Sequence, residues 1–481
     1  YISLPMHLYQ KCLLILLALQ PNAVLADDGG IYSLPSIPLL AIETDGRVMP
    51  SCTIVHAPEG CSGTSIDNND YVAGRMIMTL GGDTLYDSGP FIPKTAGMRI
   101  KIRGNSTGAF MQQHPYKLKL SVKSDLFQRQ LQSYSHKDWL LLDMYTWNPA
   151  MSNSESNILN FVGTAVSKAV GLEWTPEFRL VNVILNGHYE GLYYLMESVS
   201  RGDARVKIDD RGFIIEHDTF WWNEELYFKT SHQGQLMGFT FKYPDENDID
   251  ESILNRICNY IEYFEDVLYS EGDIGQIADM ESFARWILVH DILGTDDAGG
   301  CNRFFYKSSI DDDSMLKMGP VWDFDSAFKS SGWSAMHTIG WFYFQRLFKR
   351  NDFISIYTDL WKKHRNSILY DIDLTLKVAE EYYGNVFDQA MACHRNAFPG
   401  EGAQPFAIQM REVRTKLSER ILLLDRLMSE FESSSVKSNR QSTKVSPATL
   451  GSYDILGRPI SHSFTNHRGF YVIRCQKILL H

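Results

Sequence analysis

Cysteine is scarce in this chain, seven in 481 residues, and no two stand in a Cys-x-x-Cys pair or beside a histidine cluster. That excludes the usual structural zinc sites. Cationic residues are also in deficit, 46 Lys and Arg against 58 Asp and Glu, for a net charge of −12. A broad basic surface for nucleic acid is thereby excluded. The acidity does not exclude a polyanionic small ligand, which a few local cations and a metal can hold. After the first 26 residues no apolar run is long enough to cross a bilayer, and no internal repeat is present. What the chain does have is apolar bulk. At 44% hydrophobic and 12% aromatic it can bury a large core, which excludes disorder over most of its length.

The first residues read as an address. Lys11 ends a short basic start, Cys12 to Leu19 is an apolar run too short for a membrane span, and Val24-Leu-Ala26 offers a cleavage point. A signal peptide is expected over 1–26, its gene start extended by five residues before Met6, which makes the protein secreted or held at the cell surface. Six cysteines remain after its removal, and Cys52 and Cys61 flank a loop where either a local disulfide or two thiols fit.

Periodicity orders the rest. Ile37–Glu43, Arg75–Thr79, Met98–Arg103 and Tyr116–Val122 read as strands, the last two alternating with period two around a Gly-bearing hairpin tip, Arg103 to Gly108. Helical spacing covers Asn153–Val170, with Gly171 as a stop. Phe178–Leu185 and Tyr189–Val199 flank the turn Asn186-Gly187. Ile253–Leu268 reads as an amphipathic helix, and Glu281–Leu293 as a buried one. Phe304–Tyr306 and Met318–Trp322 form a further hairpin, and Phe353–Phe431 is helical throughout. Ser433 to Ser446 is a Ser/Lys/Thr-rich linker, followed by a short strand-rich tail. The expected organisation is 27–96 as a β-rich opening segment, 97–432 as the core, 433–447 as linker and 448–481 as tail.

The run Met318 to Phe328 carries the most chemistry. A β-branched and aromatic strand leads into two carboxylates, Asp323 and Asp325, one residue apart. Upstream stand Asp297 and Asn302, an Asp-x-x-x-x-Asn between a buried helix and a buried strand. That is the order in which phosphoryl-transfer enzymes of the protein-kinase type place a base, a neutral metal ligand and a charged one. Lys117 and Lys119 share one strand face next to the Arg103-Gly104 turn, where a cation can meet phosphates. Asp323 and Asp325 are alternative or joint ligands for magnesium, which takes few carboxylates plus phosphate and water oxygens. Three features are read as decoys: the acidic tip Asp311-Asp-Asp313, the aromatic cluster Phe220-Trp-Trp222, and Cys301, which has no nearby His to activate it.

Together, Arg103-Gly-Asn-Ser-Thr107, Tyr116-Lys-Leu-Lys119, Leu185-Asn-Gly-His-Tyr-Glu-Gly-Leu-Tyr193 with Glu197, and Gly319-Pro-Val-Trp-Asp-Phe-Asp325 resemble the spore-coat protein H (CotH) kinase family over about residues 37–430. The resemblance implies an α+β, two-lobed, atypical protein-kinase-like fold with a helical C-terminal part and a small β tail. It implies Lys119 as the phosphate-pairing lysine and Asp297 as catalytic base. It further implies Arg103, Gly104, Lys117 and Glu197 in nucleotide binding, and Asn302, Asp323 and Asp325 around the metal. The cofactors implied are ATP and Mg2+. Two departures stand out: the family's usual Asn-x-Asp reads Thr295-Asp-Asp297 here, and Ser156-Asn157 stands where Arg-Asn is common. Glu155 is the nearest acid on that helix for an ion pair with Lys119. The tail, Gly451 to Pro459 and Gly469 to Leu480, resembles the C-terminal sorting domains of exported Bacteroidetes proteins, a segment for secretion machinery to recognise.

Two functions from different classes fit these residues. One is a secreted atypical kinase that transfers the γ-phosphoryl of ATP to Ser or Thr of an exported or surface protein. The other is a kinase-like scaffold, weak in catalysis, that serves as a surface interaction module.

Overall fold

The computed structural model describes residues 37–67, 70–144, 157–234, 236–295, 298, 301–328, 340, 342–399 and 404–438. The expected signal peptide and the expected sorting-like tail lie outside them, as do Glu155, Ser156 and Asp297.

Seven strands close on themselves. β1 (Leu39–Thr44) pairs in parallel with β9 (Phe178–Leu185) and antiparallel with β4 (Val72–Leu80). Between those ends run β10 (His188–Glu197), β8 (His136–Leu142), β7 (Tyr116–Ser124) and β6 (Met98–Ile102), so that the order β1-β9-β10-β8-β7-β6-β4 returns to β1. β5 (Asp83–Asp87) extends β4 outside the ring, and β2 (Thr53–His56) and β3 (Thr64–Asp67) form a separate hairpin. The strand period decides what fills the barrel. Met98, Ile100 and Ile102 of β6, Leu118 and Leu120 of β7, Trp139 and Leu141 of β8, and Tyr193 and Leu195 of β10 point inward into one apolar cluster.

The outer face is of two kinds. On β8 and β10 the alternate residues Leu140, Leu142, Leu192, Tyr194 and Met196 are also buried, within a second and larger apolar cluster. Strands covered on both sides read as continuous apolar runs, as Trp139–Leu142 and Leu192–Met196 do. On β6 and β7 the outer positions are charged instead: Arg99, Lys101, Lys117 and Lys119.

A second sheet follows, in the order β12 (Tyr227–Phe228), β13 (Gly238–Tyr243), β11 (Phe213–Asp218), β14 (Arg303–Lys307), β15 (Lys317–Met318). Among the described residues there are eight α-helices. They are α1 (Ser106–Phe110), α2 (Leu159–Val170), α3 (Glu251–Tyr269), α4 (Met280–Leu293), α5 (Phe344–Leu347), α6 (Asn351–Tyr383), α7 (Phe387–Ala397) and α8 (Phe406–Ser438). Local signals set their ends. Gly171 and Gly294 take left-handed φ of 83° and 61° to stop α2 and α4, and the Asp250 and Asp279 side chains cap the first turns of α3 and α4.

The expected two-lobed, kinase-like architecture with a helical C-terminal part is corrected by this topology. The chain builds a closed seven-stranded barrel joined to a second sheet and eight helices. The reason is the double pairing of β1, which uses both of its edges and so closes the ring of seven strands. Helices α2, α3 and α4 precede the last strands, and one apolar cluster runs from the outer barrel strands through α8. The hairpin tip expected after Arg103 holds the short helix α1, and α8 continues through Ser438 into what reads as linker. Cys52 and Cys61 are free thiols.

Candidate functional site

The polar outer face of β6 leads to the site. The Arg103 N–H bonds the Pro115 carbonyl at 2.9 Å, so the ladder continues one residue past β6. Arg99, Lys101 and Arg103 therefore share a face. Arg103 lies over the Trp322 ring, 4.8 Å from its centroid. Burial lowers the affinity of this guanidinium for its proton, while the Asp323, Asp143 and Glu216 carboxylates pull the other way. Gly104 has a φ of +94°, and a Cβ there would collide with the Thr107 hydroxyl, so glycine is required for the chain to turn into α1.

Trp322 in turn holds Asn302. Its Nε1–H donates to Asn302 Oδ1 at 2.9 Å, and Asn302 Nδ2 donates to Asp323 Oδ2 at 3.3 Å. The Asn302 backbone N–H donates to Glu216 Oε1 at 3.2 Å, and the other Glu216 oxygen meets Lys242 Nζ at 2.8 Å. Burial works against the Lys242 charge, but Glu216 and Glu224 more than restore it and raise its pKa. Two residues along β11, burial and the neighbouring Glu216 push Asp218 up to about 8. The site thus joins the outer barrel face, the second sheet and the segment after β15.

The structure brings Arg103, Asn302 and Asp323 together around Trp322. Lys117 and Lys119 lie alongside on β7, opposite Lys101 and Arg99. Lys101, opposite Lys117 and two residues before Arg103 on the same face, links the two lysines to the cluster. Asp325 is half-buried two residues beyond Asp323. Glu197, at the end of β10, is buried with both oxygens engaged: one by Arg129 Nη2 at 2.8 Å, the other by the Glu177 N–H at 3.1 Å. Burial raises its pKa and Arg129 only partly offsets this, so it acts within an internal ion-pair network.

Among the described residues no group of three or more His, Cys, Asp or Glu is arranged to hold a metal. What meets here is the neutral amide of Asn302, its nitrogen facing Asp323 and its oxygen accepting from the Trp322 Nε1–H, and the carboxylate of Asp323. That sparse set suits a magnesium ion carrying its remaining ligands from phosphate and water. Two of the three decoys stay apart from the cluster by their own partners: Asp311 pairs with Arg211 and Arg256, and Trp222 is buried with its Nε1–H on the Ser62 carbonyl. Cys301, half-buried, touches the cluster, since Asn302 Nδ2 also donates to its Sγ at 3.5 Å.

Four contributors escaped the sequence reading: Trp322 as a hydrogen-bond donor, Glu216, Lys242 and Lys101. Glu216 and Asp218 sit in Phe213-Ile-Ile-Glu-His-Asp218, all six of whose residues are buried. Two acids at i and i+2 inside an apolar strand repeat the signature of Asp323 and Asp325 and offered a usable signal.

A family model described as CotH kinase protein matches residues 100–400. That span contains Arg103, both lysines, Glu216, Asn302 and Asp323. No curated protein matches the chain.

Proposed function

Because the chain belongs to the CotH kinase protein family, we propose that it is a secreted or surface-held atypical protein kinase that passes the γ-phosphoryl group of ATP to a Ser or Thr hydroxyl of an exported protein. One observation carries this reading: a basic side chain, an amide oxygen and a carboxylate from three distant segments meet through Trp322. Arg103, Lys117 and Lys119 supply positive charge for the phosphates. Asn302 and Asp323 are the residues that would hold Mg2+, with Asp325 as a further carboxylate two residues on. When bound, the ion neutralises phosphate oxygens. Asp297, five residues before Asn302, takes the proton of the acceptor hydroxyl. The hydroxyl oxygen bonds to the γ-phosphorus, the bond to the bridging oxygen breaks, and ADP leaves with that oxygen. Gly104 shapes the turn after Arg103, and Glu197 braces the end of β10 beside Arg129.

The experiment is incubation of the chain with Mg-ATP, with and without Asp297→Ala and Asp323→Ala. Phosphate incorporation that disappears in both variants supports the kinase. Wild-type incorporation in both variants would sink these assignments. Thermal stabilisation by Mg-ATP without any incorporation would leave a nucleotide-binding scaffold. A ligand at 100 times its Kd stabilises by about 2.7 kcal/mol, which a melt resolves.

A further inference from the structure

The cations on the outer barrel face outnumber what the described residues can neutralise. The β6–β7 register sets Arg99 directly opposite Lys119, and Lys101 directly opposite Lys117. Like charges facing across an antiparallel ladder are destabilising. The relief within the described residues is small: Lys117 reaches Asp138 at 3.9 Å, and no carboxylate lies within salt-bridge distance of Arg99, Lys101, Arg103 or Lys119. Five cations on adjacent strands, one of them weakly paired, form a surface whose missing component is an anion with several charges.

Lys101 has the most particular place in this array. It sits two residues before Arg103 on the same strand face, about 7 Å away. It is half-buried, with its ammonium 4.9 Å from the Tyr71 ring centroid, while Arg99 lies 5.2 Å from the same ring. Tyr71 therefore fixes two of the cationic heads in position. Resting on the kinase reading above, we propose that Lys101 contacts the phosphate chain of the bound nucleotide, next in line after Arg103, and gives the site its selectivity for the triphosphate over the nucleoside. Burial and the facing Lys117 depress the Lys101 pKa. A purely structural role is the competing explanation, since Glu224 and Glu246 are near enough to act on its charge.

Calorimetric titration of Mg-ATP and of adenosine into the full chain, wild type against Lys101→Met and Lys101→Arg, separates these. A lost charge-assisted contact weakens Mg-ATP binding by about tenfold or more. Adenosine affinity should change by less than about twofold, and Lys101→Arg should recover most of the ATP affinity. Equal loss for ATP and adenosine would show that Lys101 acts through the fold, and unchanged ATP affinity in Lys101→Met would remove it from the site; either result overturns the proposal alone. If the wild type binds no Mg-ATP, the kinase reading falls and takes the proposal with it. Should Lys101→Met not fold, the arginine variant still decides, because it must keep the ATP-to-adenosine ratio near that of the wild type.

Discussion

Asn302 and Asp323 share an uncommon backbone state, with φ of 61° and 62°. For a residue with a Cβ the left-handed region costs on the order of 1 kcal/mol, and Asn and Asp tolerate it best. Strain of this kind persists only when surrounding contacts fix it, and here they do: Trp322, Glu216 and the Asn302–Asp323 bond itself. Replacing Trp322 by Phe removes the donor to Asn302 Oδ1 while keeping most of the ring beneath Arg103. We expect a stability loss of about 1 kcal/mol in urea denaturation and weaker Mg-nucleotide binding. An unchanged nucleotide affinity would show that Trp322 does not set the Asn302 amide. Asp218 gives a pH test. Its folded pKa of about 8 lies above the ordinary carboxyl value, so the folded state keeps a proton that the unfolded chain releases. Stability therefore falls as pH rises from about 4 to about 8, and the penalty is complete above that. Asp218→Asn keeps the acceptor for the Phe220 N–H, 2.9 Å away in the wild type, and removes the ionisation. The variant's stability advantage should be absent near pH 4, grow towards pH 8 and then level off; an advantage independent of pH would refute the shifted carboxyl. At this scale the sequence was legible where a residue's chemistry was rare for its place. Asn302 and Asp323 showed themselves by order and spacing, whereas Glu216 and Lys242 matter only because two strands of the second sheet set them side by side.

At the scale of elements, the site depends on how α2 meets the segment after β15. Gly163 lies in the middle of α2, buried, and a Cβ there would overlap the Phe324 ring between Asp323 and Asp325. Glycine inside a helix costs up to about 1 kcal/mol relative to alanine, so its presence marks a close approach. Gly163→Ala gains that propensity but forces Phe324 out, at a cost of about 1–3 kcal/mol for overpacking. The net expectation is a destabilised chain whose Mg-ATP affinity falls more than its adenosine affinity, because Phe324 carries the two carboxylates with it. A variant more stable than wild type, by urea denaturation, would mean that the ring is not seated against α2. Elements with a strong period were readable in advance: β9 spans the expected Phe178–Leu185, and α4, Met280–Leu293, begins one residue before the expected helix. Barrel closure was not readable. β1 meets β4 some thirty residues on and β9 about 140 residues on, and neither pairing leaves a local mark.

Over the whole molecule, the barrel and the helices share one core along β8, β9 and β10, and long-range hydrogen bonds fasten them. The Leu192 N–H of β10 donates to Nδ1 of His394 in α7 at 3.2 Å, and Asn157, whose carbonyl accepts from the Tyr194 hydroxyl of β10, donates its N–H to Oε1 of Gln409 in α8 at 2.9 Å. An apolar cluster that continues from outer barrel residues such as Tyr194 to Met428 of α8 leaves no plane along which the two parts can separate without exposing it. The site spans the same junction, since Arg103 follows a barrel strand while Asn302 precedes β14 of the second sheet. Damage on the far side of the barrel should then be felt in the helices. Leu40 is fully buried inside the barrel, away from those helices. Its truncation to alanine should cost about 2–5 kcal/mol. If unfolding is one cooperative event, hydrogen exchange in Leu40→Ala should accelerate by the same factor for the slowest amides of β7 and of α4. Acceleration confined to the barrel strands would show two independent units, and the site would then be held by an interface that can open without unfolding either side.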